Sequence, residues 1–148
     1  MDTTPELEFA FEVRVQVGAP LELGIRRIVP ILEGTFEGPQ LRGRVLPGGA
    51  DWQEFRADGV VELEARYTLE TDHGQLIYVR NCGIRHASPE TMEKMRAGIA
   101  VDPASVYCRT VPAFETAAPE LQWLTRSVFI GAADRYPAEV VIRFWRVK

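Results

Sequence analysis

The sequence contains very little lysine. Lys94 and Lys148 are the only lysines among 17 cationic residues, so nearly all of the positive charge is carried by arginine. Guanidinium groups bind carboxylates in planar, two-pronged contacts better than ammonium groups do, although codon bias in a GC-rich genome would give the same composition. The formal net charge is −4. This balance disfavours a nucleic-acid partner, which usually meets a basic surface.

Cysteine and histidine are almost as scarce as lysine. Cys82 and Cys108 are too few for a metal cluster or a disulfide framework, and we expect two free buried thiols. His73 lies in a predicted hairpin turn, and His86 lies just before the predicted start of a helix. Two separated histidines with scattered acids do not define a metal site. The sequence therefore predicts neither a metal nor another cofactor.

Long apolar runs and the common catalytic motifs are also missing. No apolar run approaches the roughly 18 residues that cross a membrane, and the first residues have no basic or apolar segment of an export signal. There is no glycine-rich phosphate loop, Gly-x-Ser-x-Gly elbow, His-Glu-x-x-His pair or Cys-x-x-Cys pair. We expect a cytoplasmic protein without a membrane partner, with residues 1–148 forming one domain.

Period-two alternation of apolar residues is the main signal that is present. Positions 7 to 17 alternate Leu, Phe, Phe, Val, Val and Val with mostly polar residues, which predicts a strand with one buried face. Residues 60–70 repeat the pattern, and Asp72-His73-Gly74 predicts a hairpin into a strand at 75–85. Further extended segments are expected at 21–36 (interrupted at Pro30 and Gly34), 41–46, 52–56, 105–116, 125–130 and 139–147, with Pro47-Gly48-Gly49-Ala50 as a turn.

One helix interrupts this pattern. Ser88 is a suitable N-cap, Pro89 suits the first helical position, and Gly98 ends the segment, so the helix is expected near residues 88–97. A helical turn is also expected at Pro119–Leu124. About eight to ten short strands separated by Gly and Pro indicate an all-β sandwich or barrel. Because sequential hairpins dominate and the last strand can pair with the first, we expect a single antiparallel β-barrel.

Candidate site residues are the polar side chains in apolar or sharply bent surroundings. Asp51 follows two glycines that would aim it at a pocket, and Trp52 would form a flat wall, unless Asp51 only bonds its own turn. Arg109 could bind a carboxylate, and Glu115 could move a proton if buried, unless the two form an ion pair.

Three further positions are predicted to face inward. Tyr67 and Asn81 lie on the expected inner faces of neighbouring strands, where a ligand, other side chains or water must satisfy them. Either Arg26 or Arg27 points inward, since adjacent strand residues face opposite ways; we include Arg27 among the candidates.

The same residues carry a family resemblance. The matching segments are 24–31, 34–39, 45–53, 58–59, 65–67, 71–72, 81–83, 109–116 and 123–124, the third of which ends in Ala-Asp-Trp-Gln. Over nearly its whole length the chain resembles the domain-of-unknown-function 3237 family of small bacterial and fungal proteins. The resemblance implies a compact antiparallel β-barrel but no reaction. Glu33 stands where that family more often has glycine, and either adds a carboxylate near the pocket or is a solvated strand residue.

Three functions fit these observations. The first is a small-molecule-binding barrel that acts as a cofactor-independent acid/base enzyme (an isomerase, lyase or hydratase) on a small oxo acid, hydroxy acid or lactone. In it Asp51 and Glu115 would be catalytic, while Arg109, Tyr67, Asn81 and Arg27 would bind the substrate between Trp52 and Trp123. The second is a non-catalytic carrier or sensor with an apolar interior. The third is a structural subunit with a filled barrel, and apolar residues on both faces of the last strand are compatible with a homodimer.

Overall fold

The chain forms a closed antiparallel β-barrel in the computed structural model, which describes residues 2–148. Eight strands make the barrel wall and a ninth, short strand adds to one edge. The strands are β1 Leu7–Val17, β2 Leu21–Leu23, β3 Arg26–Glu37, β4 Arg42–Phe55, β5 Val61–Thr71, β6 Leu76–His86, β7 Tyr107–Glu115, β8 Val128–Arg135 and β9 Glu139–Val147. The predicted all-β antiparallel barrel is therefore confirmed.

Neighbouring strands in the sequence are neighbours in the wall from β3 to β9. The barrel closes because β1 pairs with β9 along nearly its whole length and with β3 on its other edge. The pairing of the last strand with the first agrees with the sequence expectation. The pairing of β1 with both neighbours covers much of the strand edges that β9 and β3 would otherwise expose to another chain.

The prediction of a turn at residues 47–50 is wrong. These residues form a bulge within one continuous strand, β4. On β4, Leu46 pairs with Thr68 and Ala50 with Arg66, so two extra residues of β4 lie opposite β5. Gly48 adopts a φ of 110°, a conformation that glycine supplies without strain. The bulge re-aims the strand, and Asp51 then pairs with Ala65 on the inner face.

The segment 21–36, expected to be extended with interruptions at Pro30 and Gly34, is two strands, β2 and β3, which separate at residues 24–25, and β3 continues through both expected interruptions. Proline is tolerated inside β3 because Pro30 lies where this strand changes partners. Before it, Ile28 pairs with Leu21 of β2, and after it Ile31 pairs with Val17 of β1. The missing N–H falls at this junction, where only the carbonyl of Pro30 is used, accepting from Gly18 N at 2.9 Å.

One end of the barrel is filled by aromatic side chains. Phe11 is fully buried, with ring centroids 5.8 Å from Phe36 and 5.1 Å from Phe144. The predicted helical turn at Pro119–Leu124 is a 3₁₀ helix whose Leu121 and Leu124 are buried in the same cluster. This aromatic end, formed by Phe11, Phe36, Phe114, Phe129 and Phe144, leaves the opposite end of the lumen for a pocket.

The single α-helix, α1 Pro89–Arg96, links β6 to β7. Ser88 caps it by accepting from Thr91 N, as the sequence predicts. Gly98 follows its last turn with a φ of 78°. The helix buries none of its residues, and its C-terminal segment borders the end of the lumen opposite the aromatic end. Among residues 2–148, no helix is both long and apolar enough to span a bilayer.

Candidate functional site

Polar side chains occupy the end of the lumen beside α1. They stand on the inner faces of β3 to β8, where strand register places them across from one another: Gln53 of β4 pairs with Arg27, and Cys108 of β7 with Arg85. We call this group the polar end; its members are Arg27, Asp51, Gln53, Tyr67, Asn81, Arg85, Thr110 and Arg135. Six of them are nearly sealed from solvent, whereas Asp51 and Arg135 keep part of their surface open.

Asp51 is the only carboxylate at the polar end. Its Oδ2 accepts from Gln53 Nε2 at 2.8 Å, and Gln53 Oε1 in turn accepts from Arg85 Nη2 at 3.5 Å. Burial raises the pKa of the Asp51 carboxyl, while the hydrogen bond from Gln53 and the charges of Arg85 and Arg135 oppose the rise. A carboxyl held in this way can exchange a proton nearer to neutral pH than an exposed one.

Several buried polar atoms at the polar end have no hydrogen-bond partner among the described residues. They are Asp51 Oδ1, Tyr67 Oη, Asn81 Oδ1, Arg85 Nε and Thr110 Oγ1. Buried polar atoms are almost always paired in folded proteins, because leaving one unpaired costs about 1–3 kcal/mol. Burial and the nearby Asp51 raise the pKa of the Tyr67 hydroxyl, so it remains a donor at neutral pH. This concentration of unused hydrogen-bonding capacity favours a ligand site.

A cavity and an outer vestibule connect the polar end with solvent. The cavity has a volume of about 50 Å³ and is lined by Val15, Val17, Val29, Ile31, Asp51, Ala65, Tyr67, Arg135, Val140 and Ile142. Since a single water needs about 10–15 Å³, several water-sized groups fit. The vestibule has a volume of about 270 Å³ and lies between the end of α1 and residues 135–137. Arg135 borders both spaces, so its guanidinium can meet a ligand in either one.

Four of the predicted site residues lie together here. Asp51 and Tyr67 line the cavity, Asn81 is buried on the inner face of β6, and Arg27 is buried at the vestibule. Arg27, and not Arg26, is the inward arginine: its Nε lies 2.9 Å from Glu22 Oε1, an ion pair without the alignment of a hydrogen bond. Their roles as catalytic or binding groups remain predictions.

The structure does not bring Arg109 and Glu115 into this site. Along β7 buried and exposed residues alternate, with Cys108, Thr110 and Phe114 inside, so the two predicted residues face outward. Arg109 Nη1 donates to its neighbour's carbonyl and its guanidinium lies over the Tyr107 ring. The expectation that they share a wall with Asp51 is corrected by this alternation.

The two predicted tryptophans also lie elsewhere. Trp52 follows the inward Asp51 and therefore lies on the outer face of β4, opposite Ile28 and Glu64. Trp123 belongs to the 3₁₀ helix and packs on Phe129 at the aromatic end, with ring centroids 6.1 Å apart. Glu33 is exposed beside the register shift of β3, as a solvated strand residue.

The potential for metal binding is small in this region. Within residues 2–148, no group of three or more His, Cys, Asp or Glu side chains is arranged to hold a metal ion. Cys108 is buried close to Arg85 and Asp51, and burial raises the pKa of its thiol. The groups that remain available for chemistry are the Asp51 carboxyl, the Tyr67 hydroxyl, the Asn81 amide and the guanidinium groups.

The raised pKa of Asp51 predicts a stabilising substitution. The ionised form of Asp51 is less favourable in the folded protein than in the unfolded chain. The free energy of unfolding therefore falls as the pH rises from about 4 through the higher pKa of the folded state. We expect Asp51→Asn, which can still accept from Gln53, to melt at a higher temperature than the wild type at pH 7. The difference should shrink towards pH 4. Thermal melts across this range test it, with the exposed Asp72→Asn as control; a lower melting temperature at pH 7 would contradict it.

Comparison with known proteins agrees with the barrel. The family model described as "Protein of unknown function (DUF3237)" matches residues 5–147. The chain belongs to this family. A UPF0311 protein of Rhodopseudomonas palustris (strain TIE-1) is 43% identical over 147 residues, 96% of each chain. The DUF3237 resemblance deduced from the sequence is thus confirmed.

Solved structures extend the likeness to three dimensions. The crystal structure of a conserved protein of unknown function from Rhodopseudomonas palustris superposes with a TM-score of 0.96 at 42% identity, and all of both chains is covered. The crystal structure of an enzyme from Penicillium herquei has a TM-score of 0.72 at 20% identity, covering 100% of this DUF3237 chain and 98% of that one. At this low identity the second match shows a shared fold alone.

Proposed function

We propose that this DUF3237 barrel binds a small organic molecule at the polar end and that Asp51 transfers a proton to or from it. The observation that carries the proposal is the Asp51 carboxylate, whose Oδ2 is held by Gln53 while its buried Oδ1 has no side-chain donor among the described residues. A structural carboxylate buried in this way normally has all its oxygens paired. The free oxygen belongs to a residue that lines the cavity, within reach of a ligand there.

The neighbouring groups support proton transfer next to a carbonyl. In the proposed reaction Asp51 takes a proton from a carbon beside the ligand carbonyl, and the electron pair of that C–H bond moves into the enolate. The Tyr67 hydroxyl, kept protonated by its raised pKa, donates a hydrogen bond to the enolate oxygen. Return of the proton to the opposite face of the same carbon, or to the remote carbon where a C=C bond extends the enolate, gives an isomer. This chemistry suits an oxo acid or a lactone and needs only acid/base groups.

The fold is compatible with catalysis by analogy alone. The Penicillium herquei protein of this fold is described as an enzyme, but folds of one kind serve many functions. Asp51 and its surroundings are therefore what supports an enzymatic function.

Deuterium exchange tests the proposal without a known product. We would incubate the protein in D₂O with 2-oxobutanoate, 4-methyl-2-oxopentanoate, acetoacetate and γ-butyrolactone, and follow loss of the proton signal beside the carbonyl by NMR. The wild type should accelerate exchange for at least one compound. General acid/base groups contribute about 10²–10⁴-fold, so Asp51→Asn should lower the enzymatic rate about 100-fold or more.

The matched control is Glu115→Gln, since Glu115 is the other predicted acid but lies on the outer face. It should exchange protons at the wild-type rate. If Asp51→Asn keeps the wild-type rate, or no compound exchanges faster with protein than in buffer, Asp51 is not the proton-transfer group for these substrates.

A carrier or sensor is the second candidate, because seven of the ten cavity-lining residues are aliphatic: Val15, Val17, Val29, Ile31, Ala65, Val140 and Ile142. Such a lining favours binding of an apolar body. Binding that raises the melting temperature without any proton exchange would favour this function over catalysis.

A further inference from the structure

Three arginines converge on the polar end, which is unusual for a barrel interior with one carboxylate. Arg27 and Arg85 are 7% and 5% exposed, and Arg135 borders both the cavity and the vestibule. Cations are rarely buried unless they are paired, because removing a charge from water costs several kcal/mol. A negative charge is therefore expected to pair with this cluster of arginines.

The charges of the protein itself leave an excess. Arg27 has an acidic partner in Glu22, 2.9 Å away. Among residues 2–148, no Asp or Glu oxygen lies within 4.0 Å of a guanidinium nitrogen of Arg85 or Arg135, and Asp51 is hydrogen-bonded to Gln53 instead. Counting Arg85, Arg135 and an ionised Asp51 leaves one net positive charge inside the barrel, while the half-exposed Arg96 at the vestibule shares Glu22 with Arg27 at 3.9 Å.

The mutual influence of these groups is consistent with the count. The pKa of Arg135 is lowered to about 10, first because the side chain is removed from water and second because Arg85 repels its charge. Burial likewise lowers the pKa of Arg85. Burial destabilises the charged form of both guanidinium groups, and an anion beside them would stabilise it.

From this arrangement we infer that the barrel's ligand is an organic monocarboxylate with an apolar body. Its carboxylate lies at Arg135 on the vestibule side, and its body enters the aliphatic cavity toward Asp51. The one net positive charge inside the barrel matches one carboxylate, and the aliphatic lining of the cavity suits an apolar body. The inference rests on the proposed function, since it names the substrate class of the same site.

Matched pairs of charged and neutral probes test the inference. Butanoate and benzoate would be titrated into the protein beside butanamide and benzamide, which have nearly the same shapes, with binding followed by calorimetry and thermal shift. A hydrogen bond to a charged group is worth more than a neutral one, so we expect each acid to bind about tenfold or more tightly than its amide. Raising the salt concentration should weaken only the acids.

The variant Arg135→Gln isolates the cation. It should lose the preference for the acid, with the acid affinity falling about tenfold or more, while its own melting temperature stays at or above that of the wild type because a poorly solvated charge is gone. Arg109→Gln, an arginine on the outer face, should bind both probes as the wild type does. If Arg135→Gln is unstable, Arg135→Lys provides a second variant that keeps the charge but not the planar fork; it should keep a reduced preference.

The outcomes separate this inference from the proposed function. Equal affinities for acids and amides, or an unchanged preference in Arg135→Gln, would overturn the monocarboxylate assignment even if Asp51 exchanges protons of γ-butyrolactone. Preferential binding of acids without deuterium exchange would support the monocarboxylate site and defeat the catalytic role of Asp51. Tighter binding of inorganic phosphate than of either acid would also overturn the assignment.

Discussion

Replacing Phe11 with alanine is expected to lower the free energy of unfolding by about 3–5 kcal/mol. The ring is fully buried and meets three other rings, with centroids 5.8 Å from Phe36, 5.6 Å from Phe114 and 5.1 Å from Phe144. Alanine would lose these contacts and leave a cavity that the closed barrel wall cannot collapse to fill. For a chain of this length the melting temperature should fall by about 6–20 °C.

The matched control is Phe9→Ala, two residues away on the same strand. Phe9 is 41% exposed and makes one edge contact with Trp145 at 6.3 Å, so its removal should cost much less. Denaturant titration of both variants measures the difference. Similar losses for the two would mean that the aromatic end does not hold the barrel together. Because Phe11 does not line the cavity, benzoate binding by folded Phe11→Ala should be retained at low temperature.

Alternation and turn residues were sufficient to predict the barrel. Residues 61–71 alternate so regularly that their hairpin with β6 pairs without a register shift. The last strand is found at Glu139–Val147 as predicted and pairs with β1. Boundaries failed where a strand bends without stopping: Pro47 and Gly48 have the composition of a turn, but neighbouring strands on both sides continue their hydrogen bonding past them.

The candidate site could be predicted only in part, because a suitable residue type does not show which face of its strand the side chain occupies. Odd and even positions along a strand face opposite sides of the barrel wall. Arg109 and Glu115 have suitable chemistry, yet both alternate with the buried Cys108, Thr110 and Phe114, which excludes them from the lumen. The same alternation excludes Trp52 from the lumen once Asp51 faces inward, because the two residues are adjacent on one strand.

Two-residue alternation along the strands also identifies inward-facing residues that the sequence analysis missed. Gln53 lies two positions after Asp51, and Arg85 four positions after Asn81, on the same inner faces. Arg135 was hidden for another reason: the strand predicted at 125–130 is in fact β8 Val128–Arg135, so its last inward position lay beyond the predicted end. The convergence of three arginines is a property of strand register between β3, β6 and β8, and no local pattern reports it.

Replacing Gly34 with alanine is expected to disrupt closure of the barrel and, with it, the ligand cavity. Gly34 pairs with Val15 at the seam between β1 and β3. A Cβ built at this position would lie 2.0 Å from the Arg14 carbonyl oxygen and 2.7 Å from Val15 Cα. Both are backbone atoms, which cannot rotate away, so the strands themselves must separate. We expect a loss of about 3 kcal/mol or more, at or beyond the upper end of ordinary overpacking.

This seam also carries part of the cavity wall, since Val15 and Val17 of β1 and Ile31 of β3 line it. A shifted seam should therefore weaken benzoate binding even in the fraction of Gly34→Ala that stays folded. Gly18→Ala is the control for stability, because its added methyl would meet nothing nearer than 3.4 Å; Gly18 lines the vestibule, so binding is compared with the wild type. Thermal melts and size-exclusion chromatography compare the two variants. A Gly34→Ala protein that melts like Gly18→Ala and binds like the wild type would show that the β1–β3 pairing is not what closes the wall of the site.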